Sequence, residues 1–150
     1  MRFRYSLLLA CACSLSAAPS SQAISACIAK AGSGYVVSQK IDPTLLHGDF
    51  DGDGKPDFAV AVVRKTAQGV VVCRSSGSPI VLGAGRAFNE MINLDFAGWR
   101  LHPKSIKVPR GAGAGTPPIL KGDALLLEWE SASAVVYWDG ARFVWYQQGD

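Results

Sequence analysis

Between Gly48 and Phe58 the chain reads Gly-Asp-Phe-Asp-Gly-Asp-Gly-Lys-Pro-Asp-Phe, with four aspartates and three glycines in one short stretch. Carboxylates packed this densely repel one another unless something neutralises them, and a divalent cation does so at the least cost. Asp49, Asp51 and Asp53 alternate, so a wrapped backbone turns all three carboxylates inward. Gly52 and Gly54 fall where the chain must bend, and glycine takes positive φ without a steric penalty. Asp57 follows after a gap that lets the carbonyl of Lys55 face the same cavity, and Pro56 stiffens the way out by fixing φ. Four carboxylates, one carbonyl and water make an all-oxygen shell of the kind that suits Ca2+, which takes six to eight oxygens. Magnesium demands stricter octahedral geometry and keeps more of its water, so calcium is the expected ion.

The spacing excludes an EF-hand, whose loop ends on an acidic twelfth residue and opens a helix. Counted from Asp49, the twelfth residue is Val60, inside the β-prone run Phe58-Ala59-Val60-Ala61-Val62-Val63. The expected setting is strand–loop–strand. On these residues, Gly48 to Val62 resembles the calcium loop of FG-GAP or VCBS-type repeats, the blades of integrin-like β-propellers, with their D-x-D-x-D-G-x-x-D pattern. The resemblance implies calcium ligation by Asp49, Asp51, Asp53, the Lys55 backbone and Asp57. It extends weakly through Gly69–Cys73, which is similar to the next strand of a blade. A propeller needs four to eight blades, and no second copy of the loop occurs, so the chain cannot close one alone. With its ending Tyr137-Trp138-Asp139-Gly140 and Phe143 to Asp150, the whole chain resembles small secreted bacterial proteins called VCBS-like. That likeness implies no activity.

The N-terminus reads as an export signal. Met1-Arg2-Phe3-Arg4 is basic, Tyr5 to Ala18 is mostly apolar, and Ser21-Gln22-Ala23 is a small-x-small cleavage motif. The apolar run is too short and interrupted to span a membrane. A competing reading takes Leu8-Leu9-Ala10-Cys11 as a lipobox that leaves an acylated anchor at Cys11; the short apolar stretch before it favours cleavage after Ala23. The expected organisation is therefore a signal peptide over 1–23 and one β-rich domain over 24–150, periplasmic or extracellular. The exported chain keeps Cys27 and Cys73, most simply a disulfide in an oxidising compartment. Losing Arg2 and Arg4 lowers the formal charge from +3 to about +1. No basic patch interleaved with aromatics remains, which argues against a nucleic-acid partner.

The elements that must hold the loop are read as strands at Tyr35–Ser38, Phe58–Val63, Val70–Arg74, Ile80–Leu82, Ser105–Val108, Ala124–Trp129, Ala134–Trp138 and Arg142–Gln147. Gly, Pro and Asp between them point to a small single-domain antiparallel sandwich or open barrel. Asp139-Gly140 suggests a type I′ hairpin turn, Ala87–Leu94 a short helical turn, and Arg110–Pro117 a flexible connection. Phe143 and Trp145 share one strand face and Val144 and Tyr146 the other; with both faces apolar, this strand is expected at the centre of a sheet.

The remaining candidates for chemistry are weaker. Trp129, Trp138, Trp145 and Tyr146 are candidate partner-binding aromatics for a protein or glycan, set against plain core packing. Glu128 and Glu130 point the same way from a strand, a spacing that also suits a solvated face. His47 and His102 have no zinc-spaced companions, and calcium does not favour imidazole. No G-x-S-x-G elbow is present. The expected function is a non-enzymatic, exported, calcium-binding interaction domain, with inhibitor or immunity-like roles in the same class.

Overall fold

The structure, a computed structural model, describes residues 17–149. The basic Arg2–Arg4 region, Cys11, Cys13 and most of the apolar run read as a signal lie outside the described residues. The described residues form one helix and nine strands: α1 (Ser21–Ala31), β1 (Val36–Val37), β2 (Leu45–Gly48), β3 (Asp57–Arg64), β4 (Ala67–Cys73), β5 (Ile80–Gly83), β6 (Gly98–His102), β7 (Ala124–Glu128), β8 (Ser133–Trp138) and β9 (Phe143–Gly149). All strand pairs are antiparallel, in two sheets. The first runs β3-β4-β5, with β1 and β2 sharing the other edge of β3: Val36 pairs with Val63, and Leu45 with Val60. The second runs β6-β7-β8-β9.

Between the sheets, Ala59, Ala61, Val70, Val72 and Leu82 from one meet Leu125, Leu127, Val136, Phe143 and Trp99 from the other, closed by Phe50, Leu94 and Phe96. The alternate residues of the same strands are also buried. On the outer face of the first sheet, Val60, Val62, Val71 and Cys73 lie under Cys27 and Ala31 of α1 and under Tyr35. On the outer face of the second, Ala124, Leu126, Val135 and Tyr146 lie under Val108, Ala114 and Leu120 of an irregular strap that runs from Pro103 to Leu120. A sheet covered on both faces needs continuous apolar strands, which is why β3, β4, β7 and β8 read as unbroken hydrophobic runs.

The disulfide between Cys27 and Cys73, with Cα atoms 6.0 Å apart, fastens α1 to the end of β4. The Ser20 hydroxyl caps the helix, accepting a hydrogen bond from the Ala23 amide at 3.1 Å. Ala23, the expected cleavage position, thus lies in the first turn of α1.

Several sequence expectations are corrected. Ser105–Val108 is not a strand; the strand is β6, which ends at His102, with Trp99 buried and Arg100 exposed. Pro103 and Pro109 bracket the apparent alternation, and proline cannot supply the ladder amide. Ala87–Leu94 is not helical: Phe88 bridges Met91 across Asn89 and Glu90, both at positive φ (47° and 66°). The β8–β9 connection is a four-residue loop, Asp139–Arg142, rather than a two-residue type I′ turn; Asp139 Oδ1 accepts the amides of Ala141 and Arg142 at 2.8 and 2.9 Å. β9 is an edge strand rather than a central one. Its second apolar face is covered by the strap, which supplies from a loop the burial expected from neighbouring sheet. β2 was hidden by its shortness.

Candidate metal centre

The acidic loop is the β2–β3 hairpin connection, closed by the pair Gly48 and Asp57. Phe50, fully buried, anchors it to the core. Gly52 and Gly54 take positive φ (74° and 80°), as the wrapped path requires. Short carboxylate-to-amide bonds shape the turn: Asp51 Oδ1 accepts from the Asp53 amide at 3.2 Å, Asp49 Oδ2 from Gly54 at 3.2 Å, and Asp53 Oδ1 from Lys55 at 2.8 Å. These are the local bonds that make aspartate a turn residue.

Asp57 is the pivot. Its residue is 2% exposed, its Oδ2 accepts the amides of Phe50 (3.0 Å) and Asp51 (3.4 Å), and its Oδ1 accepts that of Ser75 (2.7 Å). It thereby ties the loop to the chain leaving β4. Burial pushes its carboxyl above the ordinary aspartate value, against the pull of the Ser75 amide.

Carboxylate oxygens of Asp49, Asp51 and Asp57 converge within 4.8 Å of one another. Asp53 lies outside this group, on the exposed shoulder of the loop; a hydrogen bond with Ser76 and the Lys55 amide hold its carboxyl below the ordinary value. Lys55 occupies the same shoulder, its ammonium 3.0 Å from Ser76 Oγ and 4.0 Å from Asp53.

The spacing of the loop gave no sign of three further residues. Arg74 places Nη1 3.6 Å from Asp51 Oδ2, donates from Nη2 to the Ser78 carbonyl, and stacks over Trp138 at 5.0 Å. Lys104 donates to Asp49 Oδ2 at 2.8 Å, and Asp49 raises the pKa of that lysine. Asp123 accepts the Asp49 amide at 2.9 Å and donates its own amide to the Asp49 carbonyl at 2.7 Å. All three come from beyond the loop, so only the folded chain brings them together.

Two buried atoms of the site lack a hydrogen-bond partner, the donor Arg74 Nε and one acceptor. Asp49 Oδ1 is buried and has no hydrogen-bond partner, which is costly for an acceptor on a charged group. The donor set is all oxygen, and Asp57 Oδ1 keeps a lone pair beyond the one its Ser75 amide uses, whereas Oδ2 is engaged by two amides. Hard cations suit such a set, calcium among them, and soft transition metals do not. The residues present therefore fit a calcium ion at Asp49, Asp51 and Asp57.

The other candidate residues serve packing or surface contacts. Trp138 packs edge-on against Phe143 at 5.2 Å and Trp129 against Trp145 at 5.3 Å, while Tyr146 is buried with its hydroxyl donating to the Gly115 carbonyl at 3.1 Å. Glu128 pairs with Arg100 at 3.0 Å on the second sheet. His102 Nε2 lies 3.1 Å from the Ile106 carbonyl, and His47 is exposed on β2. In comparisons with known proteins, no family model, no curated protein and no solved structure matches this chain.

Proposed function

We propose that this chain is an exported, non-enzymatic domain that holds a structural Ca2+ at the β2–β3 loop, through Asp49, Asp51 and Asp57, with Asp53 and the Lys55 backbone as the further ligands implied by the FG-GAP resemblance. The carrying observation is the convergence of three carboxylates around the unpartnered buried oxygen of Asp49. The ion's role is to neutralise a loop that otherwise repels itself, so that folding is linked to calcium concentration. Extracellular calcium modules work at ~10⁻⁴–10⁻³ M. Export is supported by the basic-apolar N-terminus and by the Cys27–Cys73 disulfide, which belongs to oxidising compartments.

Binding of a protein or glycan partner is the class of activity we assign to the surface. Ile119 and Ile106, 95% and 55% exposed, flank an open cleft of about 470 Å³ lined also by Val108, Pro117, Pro118 and Leu120. Apolar side chains left in water beside such a cleft favour binding over catalysis.

The test is thermal melting of the disulfide-bonded chain in chelator and in 10 mM calcium, an excess of about 10–100 over the expected dissociation constant. Calcium at that excess is expected to add roughly 1.5–3 kcal/mol, several degrees in Tm, and Asp51→Ala is expected to abolish the shift. A melting curve indifferent to calcium would reduce the loop to a hydrogen-bonded turn.

A further inference from the structure

The strap from Pro103 to Leu120 has both of its ends at the acidic loop. At its C-terminal end the contact is made by backbone and by Asp123: the Asp123 amide donates to the Asp49 carbonyl at 2.7 Å, and the Asp49 amide donates to Asp123 Oδ2 at 2.9 Å. The chains run so close that a Cβ on Gly52 would stand 2.8 Å from the Lys121 carbonyl oxygen. At its N-terminal end the Lys104 amide donates to Asp123 Oδ1 at 2.9 Å, and the Lys104 ammonium donates to Asp49 Oδ2 at 2.8 Å. Of these fastenings only the last uses a carboxylate that a divalent ion also needs.

Calcium binds carboxylate oxygen at 2.3–2.6 Å. An ion taken up by Asp49 Oδ1 would therefore stand within about 5 Å of an ammonium still seated on Oδ2. At that distance a double and a single positive charge repel strongly in a partly buried site. The ammonium has an easy exit, because the Lys104 side chain is 46% exposed whereas that of Asp49 is 15% exposed.

Resting on the calcium reading above, we propose that the Lys104 ammonium and the divalent ion are alternative occupants of the Asp49 carboxylate. Lys104 then sets the ion affinity of the loop from a position 55 residues away, and ion binding removes one of the two fastenings at that end of the strap, leaving the Lys104 amide on Asp123. The same lysine lines the cleft with Ile106, Val108 and Leu120, so the ion state of the loop is read at the cleft mouth. Without the ion, the lysine lessens the loop's self-repulsion and adds a side-chain fastening to the amide one at this end of the strap.

The experiment compares the disulfide-bonded wild-type chain with Lys104→Met, which keeps the aliphatic stem, and with Lys104→Gln, in calcium calorimetry and in amide hydrogen exchange with and without calcium. Both variants are expected to bind calcium roughly fivefold tighter, the gain set by losing one competing ion pair of ordinary strength. In the wild type, calcium is expected to speed exchange across Lys104–Val108; in the variants exchange there is already fast and indifferent to calcium. Wild-type or weaker affinity in both folded variants, or exchange at Lys104–Val108 unmoved by bound calcium in the wild type, overturns the proposal and leaves the calcium site standing. No calcium binding by wild type or variants at millimolar concentration overturns the calcium reading itself, and this proposal with it.

Discussion

At the scale of single residues, Asp57 carries the loop. Three amides end on its two oxygens, so it organises the turn before any ion arrives. Asp57→Asn turns one acceptor oxygen into a donor facing those amides and is expected to cost about 2–3 kcal/mol in chelator, measured by chemical denaturation. Asp51→Ala is expected to cost much less in chelator and to lose the calcium response instead. The contrast separates the carboxylate that builds the loop from one proposed to bind the ion. The convergence of Asp49, Asp51 and Asp57 was legible in the sequence from residue type and spacing, whereas Asp53, read with them, stands on the exposed shoulder because its carboxylate serves the turn. Arg74, Lys104 and Asp123 were not legible, because contacts across the fold leave no periodicity at either end.

At the scale of elements, burial patterns told more than boundaries did. The apolar runs of β3, β4, β7 and β8 announced strands, and the pairing of Cys27 with Cys73 followed from their count and the compartment expected of the chain. What the sequence hid was whatever lacked a pattern of its own. α1 was masked by its overlap with the signal motif, β2 by its length, and the strap by an alternation at Ser105–Val108 that prolines deny to a ladder. The disulfide is the main pin of α1 on the outer face of the first sheet, beside Ile24, Ile28, Ala31 and Tyr35. Replacing Cys27 and Cys73 together by serine is expected to lower stability by about 3–4 kcal/mol, read as a lower denaturant midpoint. Faster amide exchange across Ser21–Ala31 is expected to accompany it.

At the scale of the molecule, two sheets share one core and each carries its own cover, a helix on one side and a strap on the other. The acidic hairpin sits where the first sheet meets the strap of the second, with β2 running beside β6. Its state therefore bears on the whole sandwich. A chain this size buries enough apolar surface for one core, and the covers extend that burial to both outer faces.

The edge position of β9 has a consequence for handling the protein in concentrated solution. Phe143–Gly149 contains no charge and no proline, the two devices by which exposed strand edges usually refuse a neighbour. The strap covers its face and meets its backbone only near the C-terminal end, where Gly111 lies against the Gln147 and Gln148 carbonyls, Gln148 reaches the Pro109 carbonyl at 2.8 Å and Tyr146 is held between Gly111 and Gly115. Self-association through this rim is expected to grow with protein concentration, and Val144→Lys is expected to suppress it in light scattering while leaving the melting temperature within a few degrees of the wild type. The aromatic run that gives the second sheet its packing is then also the segment that limits how crowded this protein can become.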